Sequence, residues 1–503
     1  MSLPAEKSSK ISKILRSKAQ EFLLNVREKA NILEQILQHF YSGADTGPCL
    51  LALDMIFSNL FKDRKMYLEI VPLKAVEKTP ENESRKWLMG NFENCYLRIV
   101  QCMEHDNPKV TIQALSTAMN LLAMEGKYPM ERAGATTENF VPANKLKSIL
   151  MKLLTSKQNN INLINKYTEY LLYDDILFVT WKLLPSLTAK SNPNQVYIMN
   201  YLMLLEKLQV FANLDTKYLC AGEYSIPITF DEVLTKKYLN RVWQCIMVWE
   251  HSVQTHKQLL IVLLEKVLVH LDKPLLLTDF LMDSLDIGGP VSYLALQGLF
   301  TMIQVHNLDY PNIFAKLYSM FEPEIFHTKY KARLFHLADL FLSSTHLPET
   351  MVAAFAKRLA RLALLAPSVD IIIICQFIGN LIIRHPGLKC LLHNETSELV
   401  KYDPYVMEES DPLKSNALNS SLWEIYTLQS HVQPSVASAA KFINTPLPSV
   451  EWDIGKVLEN TDNDIFDKEI KKISKAIVRE LEPTKDGLVI STGERVCQYW
   501  QLV

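Results

Sequence analysis

Glycine is scarce: 14 residues in 503, less than half the usual share of about 7%. This weighs against folds built on glycine-rich phosphate loops or on many tight hairpins. Neither sign of charge is in excess, since 53 Lys and Arg stand against 55 Asp and Glu, for a formal net charge of −2. So balanced a molecule does not attract nucleic acid or membrane with its whole surface, and any basic patch has to be local. Paired cysteines are lacking as well. Cys49, Cys95, Cys102, Cys220, Cys245, Cys375, Cys390 and Cys497 lie far apart with no C-x-x-C spacing. In a chain large enough to be stable without staples, that reads as a reducing, intracellular protein. The best candidate for a membrane span, 371–383 (IIIICQFIGNLII), has 13 uncharged residues between Asp370 and Arg384, short of the roughly 20 that a spanning helix needs. A buried core helix is the expected form of that run.

Chemical motifs are missing too. Gly126-Lys127 is followed by Tyr128 and Gly455-Lys456 by Val457, with no upstream glycine in either case, so a phosphate loop is excluded. The stretch 461–469 (TDNDIFDKE) resembles a calcium loop only superficially, because Phe466 takes a ligand position and Asp467 the place of the turn glycine. A solvated helix start capped by Asp464 is expected there. There is no H-E-x-x-H; His251 and His256, five apart, point to different helical faces. No G-x-S-x-G elbow occurs and no cysteine has a recognisable nucleophile context. No catalytic residue, metal ligand or cofactor site can be named, and a non-enzyme is expected. The first twenty residues carry five basic side chains and only Glu6 as an acid, but no apolar segment follows, so secretion is not expected.

Helical periodicity fills the space these absences leave. From Leu15 the positions Ala19, Phe22, Val26, Ala30, Leu33, Leu37 and Phe40 advance in steps of three and four, which predicts one long amphipathic opening helix. The same period returns over 87–103, 110–124, 146–154, 196–210, 233–249, 259–271, 291–305, 313–321, 330–342 and 351–365. Prolines such as Pro108, Pro193, Pro274, Pro290, Pro348, Pro367 and Pro386 sit at the boundaries, where a missing N–H is tolerated. Helix-sized units joined by short turns predict an all-α chain, an irregular HEAT/ARM-like helical repeat solenoid with a C-terminal helical-hairpin module. An irregular bundle is the alternative.

Two local patterns remain. Lys145, Lys147, Lys152, Lys157 and Lys166 lie between Glu138 and Glu169 without an intervening acid. They are candidate RNA-contact lysines or, more plainly, a solvated helix face. Lys357, Arg358 and Arg361 form a similar but weaker cluster. The second pattern is 403–443. Asp411-Pro412 is a helix entry with the acid as N-cap and proline at N1. Leu413, Ala417, Leu422, Ile425, Leu428 and Val432 predict one apolar stripe up to Pro434, where a second short helix begins. An acidic, aromatic loop with Tyr402, Asp403, Tyr405, Glu408 and Glu409 precedes this predicted hairpin.

The order D-P-Y, an acidic pair, D-P-x-K-S-x-A-L-x-S-S-L-W-E, then L-Q-x-H and P-S-V strongly resembles the signature of the CCAAT-binding-factor (CBF) family of nucleolar assembly proteins. Four segments are expected: N-terminal helical repeats over 1–212, a middle helical segment over 213–290, the CBF-family helical domain that the resemblance implies over 291–447, and a tail with one amphipathic helix over 448–503. It implies a non-catalytic scaffold of the nucleus and nucleolus, paired as a heterodimer with the large nucleolar protein fourteen. That pair would act within the small-subunit processome on pre-rRNA, in 18S rRNA processing and in assembly and export of the 40S subunit. Partner-binding positions carried over from the signature are Tyr402, Asp403, Pro404, Tyr405, Glu408, Glu409, Asp411, Pro412, Lys414, Ser415, Trp423, Glu424 and His431. The exposed ones are expected to be Tyr402, Tyr405, Glu408, Glu409 and Lys414. A nuclear-envelope-associated membrane protein and an importin-like transport adaptor are the competing readings.

Overall fold

The computed structural model describes residues 3–481 apart from 27, 44, 70–78, 133–139, 213–215, 223–227, 309–311, 345 and 393–401. The chain divides into two compact units, Met1–Leu277 and Thr278–Val503. The first holds α1 (Leu3–Leu24), α2 (Ala30–Tyr41), α3 (Thr46–Lys62), α4 (Pro80–Gln101), α5 (Pro108–Lys127), α6 (Ala143–Leu153), α7 (Ile161–Thr168), α8 (Asp174–Leu187), α9 (Gln195–Lys207), α10 (Glu232–Ile246) and α11 (Val253–Val262). Polar caps set many of the starts. Thr79, Asn107, Asn194, Asp231 and Ser252 each accept a hydrogen bond from a first-turn N–H, and Pro80 and Pro108 follow two of them.

Alternate helices stack. α1 packs on α3, α3 on α5, α5 on α7, α7 on α9 and α9 on α11, while α4, α6, α8 and α10 form a second row. Two rows built from every other helix are the arrangement of an all-α helical repeat array. A two-residue parallel pair, Leu68–Glu69 with Glu131–Arg132, is the one strand pairing among the described residues.

The opening helix is split where one was expected. α1 and α2 each pack on α3 and on each other, burying Phe22 from the first and Leu33, Ile36, Leu37 and Phe40 from the second. A single straight rod would carry half of that stripe past α3.

The second unit holds α12 (Thr278–Asp286), α13 (Gly289–His306), α14 (Ile313–Ser319), α15 (Lys331–Phe341), α16 (Glu349–Ala363), α17 (Ser368–Arg384), α18 (Trp423–Leu428), α19 (Pro434–Ala439), α20 (Ile454–Leu458) and α21 (Asp462–Leu481). The apolar run 371–383 lies within α17, where Ile371, Ile374, Phe377, Ile378, Leu381 and Ile382 are buried. It is a core helix, packed by α16, α19 and α20. Among the described residues no helix is long and apolar enough to cross a membrane.

Local details depart from expectation in the signature and in the tail. Asp411 caps Pro412 as predicted, accepting from Leu413 N at 3.0 Å. The helix it opens lasts only one 3-10 turn, Pro412–Lys414, because Asn416 adopts a left-handed φ of 56° that an α-helix cannot continue through. A second 3-10 turn, Ala417–Asn419, precedes α18. Leu413 and Val432, placed on the buried stripe by their spacing, are therefore exposed. In α21 the cap is Thr461, not Asp464. Thr461 N donates to Asp464 Oδ2 at 2.9 Å and Asp464 N to Thr461 Oγ1 at 3.3 Å, a reciprocal capping box with the acid at the third helical position.

Candidate protein-interaction site

The signature is fastened to α16 by charge. Ala353, Ala354, Phe355, Ala356, Leu359 and Ala360 bury most of this helix, and Lys357 is 0% exposed among them. A cation cannot stay there alone, since unpaired burial costs several kcal/mol. Its Nζ lies 2.9 Å from Asp403 Oδ2 and 2.7 Å from Glu424 Oε1, and donates to Ser421 O. One helical turn on, Arg361 reaches the same two acids, with NH2 2.7 Å from Asp403 Oδ2 and Nε 2.8 Å from Glu424 Oε1. The second contact is an ion pair without hydrogen-bond alignment. Two cations and two carboxylates make a neutral quartet.

Asp403 is the hub. Its Oδ1 accepts from Ser420 Oγ at 2.5 Å and Tyr405 N at 3.1 Å, and its Oδ2 from Trp423 Nε1 at 2.9 Å. Burial works to raise this carboxyl, but the hydrogen bonds from Lys357, Ser420, Trp423 and Tyr405 prevail and hold it well below the usual carboxylate range. Glu424 behaves oppositely, with burial pushing it up against the pull of Lys357 and Arg361. The Trp423 ring covers both cations, at 5.4 Å from Lys357 Nζ and 4.8 Å from the Arg361 guanidinium.

Arg358 holds the preceding loop. It donates from Nε to Phe321 O at 2.8 Å and from NH1 to Met407 O at 3.0 Å, and stacks on Tyr318 at 4.6 Å. Tyr318 and Tyr405 share a hydroxyl hydrogen bond of 2.8 Å.

These contacts sort the signature residues. Tyr405, Pro412, Ser415 and Glu424 are buried, so the expectation that Tyr405 is exposed is corrected. Their hydrogen-bonding and apolar groups are used up inside the unit. Asp411 is engaged as a cap and Pro404 and His431 are half-buried. Glu409 accepts from Asp411 N. Tyr402, Glu408, Lys414 and part of Trp423 face outward, joined by Tyr426 one turn beyond Trp423. Tyr426 was not foreseen, although its i+3 spacing from Trp423 was there to be read. The role of Lys357, Arg358 and Arg361 was likewise missed; their apolar flanks were the available signal.

The lysine stripe does not survive as a unit. Lys145 is buried, its Nζ 2.6 Å from both Glu93 and Glu125 and 4.4 Å from the Phe92 ring centroid. Its assignment as an RNA contact is corrected, because its charge is spent inside the fold. Lys152 and Lys157 pair with Glu104, at 3.0 and 3.5 Å, and Lys166 pairs with Glu169. Of the five, Lys157 is the most open, and Lys147 is half-buried.

Comparison with known proteins locates the quartet within a shared domain. Residues 292–440 match the model of the CBF/Mak21 family, which spans α16 and the whole signature. Over 487 residues the chain is 35% identical to nucleolar complex protein 4 homolog B of Xenopus laevis, covering 92% of this chain and 91% of that protein. It is 36% identical over 498 residues to homolog A of the same species, with 95% and 94% covered. To the nucleolar complex protein 4 homolog of Homo sapiens it is 32% identical over 500 residues, with 96% of each covered.

Proposed function

The chain belongs to the nucleolar complex protein 4 homolog family, and from that premise we propose that it is a non-catalytic scaffold of ribosome assembly in the nucleolus. Its partner is the large nucleolar protein fourteen. The heterodimer joins the small-subunit processome and supports 18S rRNA processing and assembly and export of the 40S subunit. The observation that carries this reading is the quartet of Lys357, Arg361, Asp403 and Glu424. It devotes Asp403 and Glu424 to fastening the loop and α18 onto α16, and leaves the aromatic side chains of Tyr402, Trp423 and Tyr426 exposed. Aromatic side chains on a rigid support are the usual anchors of a protein interface.

Affinity purification of the tagged chain from nuclear extract tests this, with northern analysis of 18S precursors after its depletion. Recovery of nucleolar protein fourteen, lost in a Tyr402→Ala/Tyr426→Ala variant that still folds, is the expected result. Recovery of a stable monomer, with normal 18S maturation after depletion, would refute it.

A further inference from the structure

A groove of about 700 Å³ lies in the second unit between α17, α19, the 445–452 segment and α21. Its floor is apolar, formed by Val369, Ile372, Phe442, Pro446 and Trp452. One wall is cationic: Lys468, Lys471, Lys472 and Lys475 of α21, with Lys441 at the edge of the adjoining turn. The acid lining the groove is Glu469, already bound to Lys472 and Ser435. Lys441, Lys471 and Lys475 form no ion pair among the described residues.

The groove is held open by design of its rim. Asn380 grips Trp452 through two bonds, donating from Nδ2 to Trp452 O and accepting from Trp452 N, each at 2.8 Å. Arg384 holds Glu451 through Nε at 3.0 Å and NH2 at 2.6 Å. The indole sits so close to Gly379 that an added Cβ would lie 2.4 Å from it. That contact is made by the Cζ3 edge of the ring, which packs against α17.

We propose that this groove is a docking site for an acidic, apolar-anchored peptide segment of another protein. Charge complementarity selects acid, because the unpaired cations line one long wall. The apolar floor selects side chains that bury hydrocarbon. A nucleic-acid strand meets the lysines but brings no aliphatic side chains to bury against Val369, Ile372 and Pro446. The occupant would be part of a partner of the scaffold, yet the probe below is synthetic, so loss of binding here and loss of co-purification there are separate results.

The test is fluorescence anisotropy on the full chain with three labelled probes: an amphipathic helical peptide with Leu on one face and Glu on the other, its counterpart with Lys for Glu, and a polyuridylate strand. The acidic peptide should bind alone of the three. Lys441→Glu/Lys471→Glu/Lys475→Glu should weaken it at least about tenfold, and Ser438→Trp, which fills the groove from its exposed rim without a charge change, should abolish binding. Unchanged circular dichroism in the triple variant keeps the test valid if the tryptophan variant misfolds. Equal binding of both peptides, RNA binding that the triple variant removes, insensitivity to both variants, or a groove-dependent dimer of the chain would overturn the proposal.

Discussion

Replacing Lys357 by methionine keeps the length and apolar stem of the side chain and removes its charge. What remains is Arg361 facing Asp403 and Glu424, one cation for two carboxylates, one of them completely buried. Breaking a buried ion pair by deleting one member costs about 3–5 kcal/mol, mostly from the charge left behind. At about 1.4 kcal/mol per tenfold, the open form of the second unit should rise roughly 10²- to 10⁴-fold. Adding Glu424→Leu restores balance, since Arg361 and Asp403 then form a closed pair at 2.7 Å. Apolar replacement of a buried pair is often close to neutral, so the double variant should regain at least about 2 kcal/mol of the loss. Hydrogen exchange in α16 and α18 across a urea series reads this locally, separately from unfolding of the first unit. A double variant no more stable than the single one, or a single variant within about 1 kcal/mol of the parent, would refute the quartet as the clasp of this unit.

Acid should open the same clasp. The Asp403 carboxyl lies lower in the folded chain than in the unfolded one, so it adds stability above its unfolded value of about 3.9 and surrenders it as pH falls from there through the folded value. Thermal melting across that range should show a decline that Asp403→Asn flattens, and parallel curves would contradict this. Gly126→Ala should cost about 1–3 kcal/mol by denaturant unfolding, because its Cβ would fall 2.5 Å from Cys220 Cβ. Gly90→Ala, in the exposed middle of α4 with nothing within 4 Å, should instead gain about 0.5–1 kcal/mol. Lys145→Ala strands Glu125 and should lower stability of the first unit by about 3–5 kcal/mol while leaving salt-sensitive RNA retention unchanged. A retention loss without destabilisation would return Lys145 to the surface.

Much of the helical architecture could be read in advance because it rests on local rules. Apolar steps of three and four, Asn and Asp before the first turn, and proline at N1 act within a few residues, and α5, α9 and α10 begin where those signals stand, whereas α4 opens at Pro80, seven residues before the expected 87. The core identity of 371–383 followed from its length alone. The signature's conformation was harder. A single left-handed residue, Asn416, converts a predicted helix into two short turns, and φ is not written in an apolar pattern. Charge pairing was least legible. Lys145 looks free because its acids, Glu93 and Glu125, arrive from α4 and α5, and Lys357 looks like surface because Asp403 and Glu424 lie 46 and 67 positions later. Partners brought together only by tertiary packing leave no trace in a window of sequence.

The stacking of alternate helices in the first unit carries a temporal consequence. Each helix docks on one made two earlier, so during translation a newly emerged segment meets a surface that already exists, and this half can condense stepwise behind the ribosome. The clasp of the second unit obeys a different clock. The Lys357 ammonium of α16 lacks both carboxylate partners until Asp403 and then Glu424 have followed it out of the exit tunnel, so that half closes late.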